Sequence, residues 1–428
     1  MKTYNYSDLS KADISKLVQR NVDPANHVRD AVEDILAHVK LHGDTALYDY
    51  ALKFEQVVLD KLYLNKEELT LLAEGVSPEQ KTALNTAYKN IYAFHQTQLK
   101  IEEKVETMPG VTCWRELRAI EKVGLYIPGG TAVLPSTLLM LGIPARIAGC
   151  REVVVCMPPQ KDGKVNPYIA YVALLLGIDK IYLAGGAQAI GAMAYGTDAI
   201  PKTDKIFGPG NQYVTKAKTI IQSTTTTAID MPAGPSEVLV IADETANPIY
   251  IAADLLAQAE HGVDSQAVLV TNSANIAQQT IDELNKQLPV LPRAEIAAKA
   301  IENSYIVITS NLDEAMNFSN EYAPEHLILA TENWQQLTPQ IINAGSVFLG
   351  NLTPESAGDY ASGTNHTLPT SSYAKAYSGV SVDSFVKKIT FQHISPEGIK
   401  NIGPTVEVLA ELEGLVAHKN AVTTRLKK

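Results

Sequence analysis

Cysteine is scarce in this chain. Its 428 residues carry three, Cys113, Cys150 and Cys156, with no C-x-x-C pair among them. That excludes a disulfide framework and a purely thiolate metal centre. A basic surface is missing too: 36 Lys and Arg stand against 47 Asp and Glu, a net charge of −11. Nucleic acids and anionic membranes both attract a basic face, so neither is an expected partner. The longest apolar run, Tyr168 to Ile178, falls far short of the ~20 residues that span a bilayer. The start, MKTYNYSDLS, has no apolar core of the kind a signal peptide needs, so a cytoplasmic protein is expected. A complete G-x-G-x-x-G is also absent.

What is present is enough apolar material for several packed layers: 46% hydrophobic against 19% charged residues, over a length that suits two or more cores. Residues 1–120 are mostly helical in pattern. In SPEQKTALNTAYKNIYAFHQTQL, Ser77 can cap, Pro78 suits the first helical position, and Gln80 completes a capping box. Leu84, Tyr88, Ile91 and Tyr92 then fit a buried face. His27, His38, His42 and His95 are scattered here and read as ordinary surface or packed histidines.

From residue 121 the texture changes. KVGLYIPGG, EVVVCMPP, KIYLAGG and DKIFGPG form one series of apolar runs. SEVLVIAD, QAVLVT, YIVITS, HLILATE and GSVFLG form a second. Nearly continuous Val, Ile and Leu is the signature of parallel strands covered on both faces. Alternation with helical stretches predicts an α/β fold of two Rossmann-like doubly wound units. The expected division is a helical N-terminal segment (1–120), a dinucleotide-binding unit (121–235), a second unit with the polar site (236–376) and a small C-terminal tail (377–428). The tail contains a helical stretch from Pro404 to Asn420. It is too small to bury a core alone, and is expected to pack on the main body or on a second subunit.

Three glycine-rich segments follow strands of the first series: 126–137, 184–197 and 207–215. Glycine lets backbone N–H groups approach a phosphate, and a following helix N-terminus favours the anion. Tight βα turns would use glycine equally well, so the segments point to a dinucleotide only as a set.

The polar residues are more informative. The helix expected before Gly262 delivers Gln258 and His261, three apart and hence on one face. With Asp359 they offer an N/O donor set suited to Zn²⁺, and also to Mn²⁺ or Co²⁺. The alternative for His261 is a helix C-cap facing the dipole, with Gly262 just beyond. Glu325 and His326 enter a strand side by side. An imidazole that titrates near neutrality beside a carboxylate suits general acid–base work, although a solvent-exposed pair would look the same. Asp359 and His366 lie in ESAGDYASGTNHTLPTS, whose small and polar composition suits a functional loop.

Taken together, GLYIPGG, GGAQAI, KIFGPGN, ID..AGPSE, Q..EH, APEHL, PESAGDYASGTNH and EGL..H resemble histidinol dehydrogenases in order and spacing. The resemblance covers nearly the whole chain and is strongest from Val123 to Pro369. It implies a homodimeric enzyme that oxidises L-histidinol to L-histidine through L-histidinal, the last step of histidine biosynthesis, consuming two NAD⁺. It implies zinc held by Gln258, His261 and Asp359 with His418 of the opposite subunit, and Glu325 and His326 as the acid–base pair. Ser236, His366 and Glu413 are the further substrate contacts it implies, beside the metal ligands and the acid–base pair. Tyr126, Gln188 and Asn211 are implied contacts to NAD. One departure is visible: Ser371-Ser372 stands where the family has a glycine-containing turn. The competing readings are a dehydrogenase for another polar alcohol, a metal-dependent hydrolase, and a non-catalytic binding protein.

Overall fold

The computed structural model describes residues 1–19, 26–129, 133–232 and 234–427, the side chains of 26 and 27 excepted. Residues 130–132 of the first glycine-rich segment, Ala233 and the ring of His27 therefore lie outside the described residues.

In chain order the strands are β1 (Lys2–Asn5), β2 (Tyr63–Leu64), β3 (Val105–Met108), β4 (Val111–Ala119), β5 (Lys122–Tyr126), β6 (Glu152–Met157), β7 (Ile181–Leu183), β8 (Lys205–Phe207), β9 (Ala228–Ile229), β10 (Glu237–Ala242), β11 (Gln266–Thr271), β12 (Tyr305–Ile308), β13 (His326–Ala330), β14 (Ser346–Leu349) and β15 (Val386–Ile394). One six-stranded sheet has the order β2-β7-β6-β5-β8-β9 and the other β1-β12-β11-β10-β13-β14. Apart from the edge pair β2–β7, neighbours within both run parallel. Every residue of β10 is buried, and helices pack on both faces of each sheet. This is why these strands carry no polar alternation.

Both sheets wind outward from a central strand, to one side and then the other. The first reverses between β5 and β8, the second between β10 and β13. In an open α/β sheet such a reversal opens a crevice beyond the carboxyl ends of the strands. Helix starts repeat one device: Ser77-Pro78, Asn166-Pro167, Asn247-Pro248 and Ser395-Pro396 each place a capping side chain before a first-turn proline.

The structure corrects several expectations. The N-terminal segment is mostly helical as expected, but it also holds strands the sequence did not announce: β1 joins the edge of the second sheet beside β12, and β3 and β4 form a separate antiparallel sheet with β15. The tail contains β15 and two helices, Pro396–Leu412 and Val416–Leu426, in place of one helix from Pro404 to Asn420. Gly414, left-handed at φ 70°, separates them. The helix Pro78–Gln96 forms with its expected capping box. Ile91 is buried and Leu84 and Tyr88 are partly so, but Tyr92 is exposed and the buried aromatic position is taken by His95. The three cysteines are free, and no described helix is long and apolar enough to cross a membrane.

Candidate active site

The polar cluster forms at the N-terminal edge of the second sheet. β10 opens on Glu237, and β13 on His326 directly after Glu325. The crossover helix Pro248–Ala259 starts beyond the far end of β10 and returns antiparallel over about 18 Å at 1.5 Å per residue. Its last turn therefore comes back to the edge where β10 and β13 begin. That return brings Gln258 to Glu325 and His326 from nearly seventy residues away. His261 lies two residues past the helix, with Glu260 as the cap and no left-handed Gly262 behind it. It is thus neither on the helix face nor the cap itself. A short helix, Glu355–Tyr360, packs against the crossover helix and adds Asp359.

Hydrogen bonding assigns the His326 tautomer. Nδ1 lies 3.2 Å from the Glu237 carbonyl oxygen, so it carries the proton and donates there. Nε2 is buried, has no hydrogen-bond partner, and lies 3.4 Å from Asp359 Oδ1. Glu325 Oε2 accepts the Glu237 N–H at 2.9 Å and stands 3.7 Å from His326 Nδ1. Glu355 Oε1 is 3.9 Å from the same nitrogen.

Burial and mutual repulsion set the charges. Burial pushes Glu325 up to about 8, against the pull of His326. Glu355 rises to about 8 for the same first reason. Burial alone would lower His326, but Glu355, then Glu325 and Asp359, overcome it and raise the imidazole well above its ordinary value. Burial would also raise Asp359, but His326 reverses this and holds it below the usual carboxylate range. His261 and His366 are both lowered, first by burial.

The donor set fits a bound cation. One ligand atom from each of His261, Glu355 and Asp359 lies within 4.8 Å of the others. Gln258 is fully buried, yet neither its Oε1 nor its Nε2 has a partner, and Glu355 Oε2 is equally orphaned. Buried polar atoms are almost always satisfied, so this concentration of unpaired ones fits a group of residues able to hold a cation. Glu355 escaped the sequence reading. It stands four residues before Asp359, the spacing that shares a helix face, and that was the available signal.

The remaining residues divide into three groups. His366 joins the cluster, with Nδ1 2.9 Å from the Asp359 carbonyl oxygen and Nε2 3.1 Å from Thr137 Oγ1. Ser236 is adjacent to Glu237 and partly exposed. Glu413 and His418 are exposed on the tail, and neither belongs to the cluster within this one chain.

Tyr126, Gln188 and Asn211 line a separate cavity of about 950 Å³ at the reversal of the first sheet. Tyr126 ends β5, and its hydroxyl accepts the Gly186 N–H at 3.1 Å. Asn211 caps the helix Gln212–Thr224, accepting N–H groups from Tyr213 and Val214. Gly208 is required between them: at φ 126°, a Cβ would stand 2.1 Å from the Tyr126 carbonyl oxygen. A buried ion pair, Lys218 with Asp230, braces the turn, with Asp230 Oδ2 accepting the Gly208 N–H at 2.8 Å.

The Ser371-Ser372 departure also has a structure. Both residues are left-handed, at φ 54° and 62°, the conformation glycine supplies without strain. Two bonds hold them: Ser371 N–H to Glu237 Oε1, and Ser372 Oγ to the Tyr322 carbonyl oxygen at 2.9 Å.

Comparison with known proteins settles the relationship. The family model described as histidinol dehydrogenase matches residues 18–426. The chain belongs to the histidinol dehydrogenase family. It is 56% identical to the histidinol dehydrogenase of Bacteroides thetaiotaomicron, over 100% of this chain and 99% of that one. It is 53% identical to the chloroplastic histidinol dehydrogenase of Arabidopsis thaliana, covering 92% of that sequence. The crystal structure of histidinol dehydrogenase from Elizabethkingia anophelis superposes with a TM-score of 0.96 at 53% identity, over 100% of this chain and 98% of that one. Membership at this level makes the chain an oxidoreductase.

Proposed function

We propose that this chain oxidises L-histidinol to L-histidine in two successive hydride transfers, with a divalent metal, zinc by preference, and two NAD⁺. The observation that carries the proposal is the buried, unpartnered Nε2 of His326 beside Asp359. A bound cation would offset the carboxylates that raise His326 and leave it neutral, and with Nδ1 committed to a backbone carbonyl it could then take a proton only at Nε2.

Gln258, His261 and Asp359 would hold the cation, with His418 of a second copy completing the set. When bound, the cation would supply a template for the polar substrate and would offset the charge of Asp359 and Glu355. Tyr126, Gln188 and Asn211 would hold the dinucleotide in their cavity, where it would supply the hydride acceptor. His326 Nε2 takes the hydroxyl proton in the first oxidation. The aldehyde must be hydrated before it can be oxidised again, and Glu325 is placed to move the proton of that water. Burial brings Glu325 up to about 8, so it can both accept and return a proton near neutrality. His326 then acts a second time, on the hydrate. Ser236, His366 and Glu413 would orient the substrate.

The exposed apolar residues Leu409, Leu412 and Val416 of the tail support docking on a second copy. Such a homodimer would carry His418 and Glu413 to the neighbour's site. The test is NADH formation from histidinol. His326→Ala should lower turnover by about 10²–10⁴-fold while the metal stays bound. Full turnover in that variant would refute the role of His326, and loss of the metal would refute the division between base and ligands.

A further inference from the structure

The dinucleotide cavity contains a carboxylate that none of the chemistry above uses. Glu55 ends the short π-helical segment Ala51–Glu55, brought to the cavity wall by the N-terminal helices. Its Oε1 lies 2.7 Å from where a Cβ on Gly185 would stand, so only a residue without a side chain lets it into this position. Its Oε2 is buried and has no hydrogen-bond partner. The nearby N–H of Gly186 cannot serve it, being already given to Tyr126. A buried carboxylate oxygen without a donor is uncommon, and it leaves Oε2 free for a ligand.

Its surroundings indicate which part of a dinucleotide comes here. Tyr50 and Phe54 stack with ring centroids 5.3 Å apart and nearly parallel planes, and both line the cavity with Ile35. A flat apolar wall of this kind suits a purine. Leu134, also in the lining, immediately precedes the helix Pro135–Ala148, whose Thr137 holds His366, so the wall at Leu134 leads to the polar cluster. The nicotinamide has to reach that side, which leaves the adenosine for the aromatic wall and Glu55.

We propose that Glu55 accepts the hydroxyls of the adenosine ribose and thereby selects NAD over NADP. A carboxylate receives a 2′-hydroxyl donor well and repels a 2′-phosphate. Lys53 and Lys161 also line the cavity, but both are exposed, so water and salt screen their charge. Glu55 is half-buried with its Oε2 shielded from water, so its charge is less screened than theirs. Burial brings it up to about 7, so the preference for NAD should sharpen as pH rises through 7. The inference rests on the assignment of this cavity to NAD.

Calorimetric titration of NAD⁺ and NADP⁺ into the wild type, Glu55→Gln and Glu55→Ala tests it, with thermal melts to confirm folding. The wild type should prefer NAD⁺. Glu55→Gln should weaken NAD⁺ by about 10-fold, the loss of one charge-assisted hydrogen bond, and should tighten NADP⁺, so that the preference collapses. The Ala variant should lose NAD⁺ affinity without regaining discrimination. A preference unchanged within about twofold in folded variants would overturn the role of Glu55, since a lost ion–hydrogen-bond contact moves affinity by more. So would a wild type that binds both equally. Failure of the wild type to bind either dinucleotide would instead remove the cavity assignment, and this inference with it.

Discussion

Replacing Gln258 by Met should stabilise the metal-free protein and impair the metal-loaded one. Gln258 is fully buried, and both polar atoms of its amide lack partners. An unmade amide in the interior costs about 1–3 kcal/mol. Methionine fills nearly the same volume without polar atoms, so repacking costs less than about 1.5 kcal/mol. After chelation, the variant should therefore exceed the wild type by about 1 kcal/mol, the difference between the mid-values of these terms. Zinc added at a hundredfold excess over its dissociation constant should stabilise the wild type by about 2.7 kcal/mol and the variant by much less. Urea midpoints with and without zinc, for both proteins, provide the four numbers. A chelated variant weaker than the chelated wild type, or two proteins with the same response to zinc, would refute the reasoning.

Ser371→Gly should raise stability by about 1 kcal/mol, because it relieves a left-handed serine and removes a buried unpaired hydroxyl while keeping the N–H bond to Glu237; a lower urea midpoint would contradict this. Burial raises Asp254 to about 7, above its unfolded value. Its contribution is therefore fully present below about pH 4 and is lost as pH rises through 7. Asp254→Asn should then gain on the wild type across that window, reaching about 1–3 kcal/mol at pH 8, and a gap independent of pH would dismiss the effect. Mixing His261→Ala with His418→Ala subunits should restore about a quarter of wild-type activity, since half the dimers are hybrid and each then holds one intact site. No recovery on mixing would exclude a site shared between subunits.

Much of the fold was legible because burial on both faces leaves the central strands no polar positions. All nine apolar runs singled out in the sequence became strands. The strands that escaped notice are those with half-buried or charged patterns. β4 reads VTCWRELRA and finds its partner β15 some 270 residues later. β1, only KTYN, pairs with β12 across three hundred residues. No local pattern records pairing at that distance. The site was legible in its residue types but not in its placement. Gln258, His326 and Asp359 drew attention because amides, imidazoles and carboxylates are conspicuous in small-residue loops and apolar helices. That they meet at the N-terminal edge of the second sheet follows only from the return of the crossover helix. Glu355 was missed because a glutamate in a serine- and glycine-rich loop looks solvated, whereas it is almost entirely buried.

The central claim is that Gln258, His261 and Asp359 converge on one divalent ion beside His326. Anomalous diffraction at the zinc edge, from crystals grown with zinc, tests it most directly. A single peak about 2.0–2.2 Å from a donor atom of each of the three residues is expected. A peak elsewhere on the chain, or none at this cluster, would contradict it.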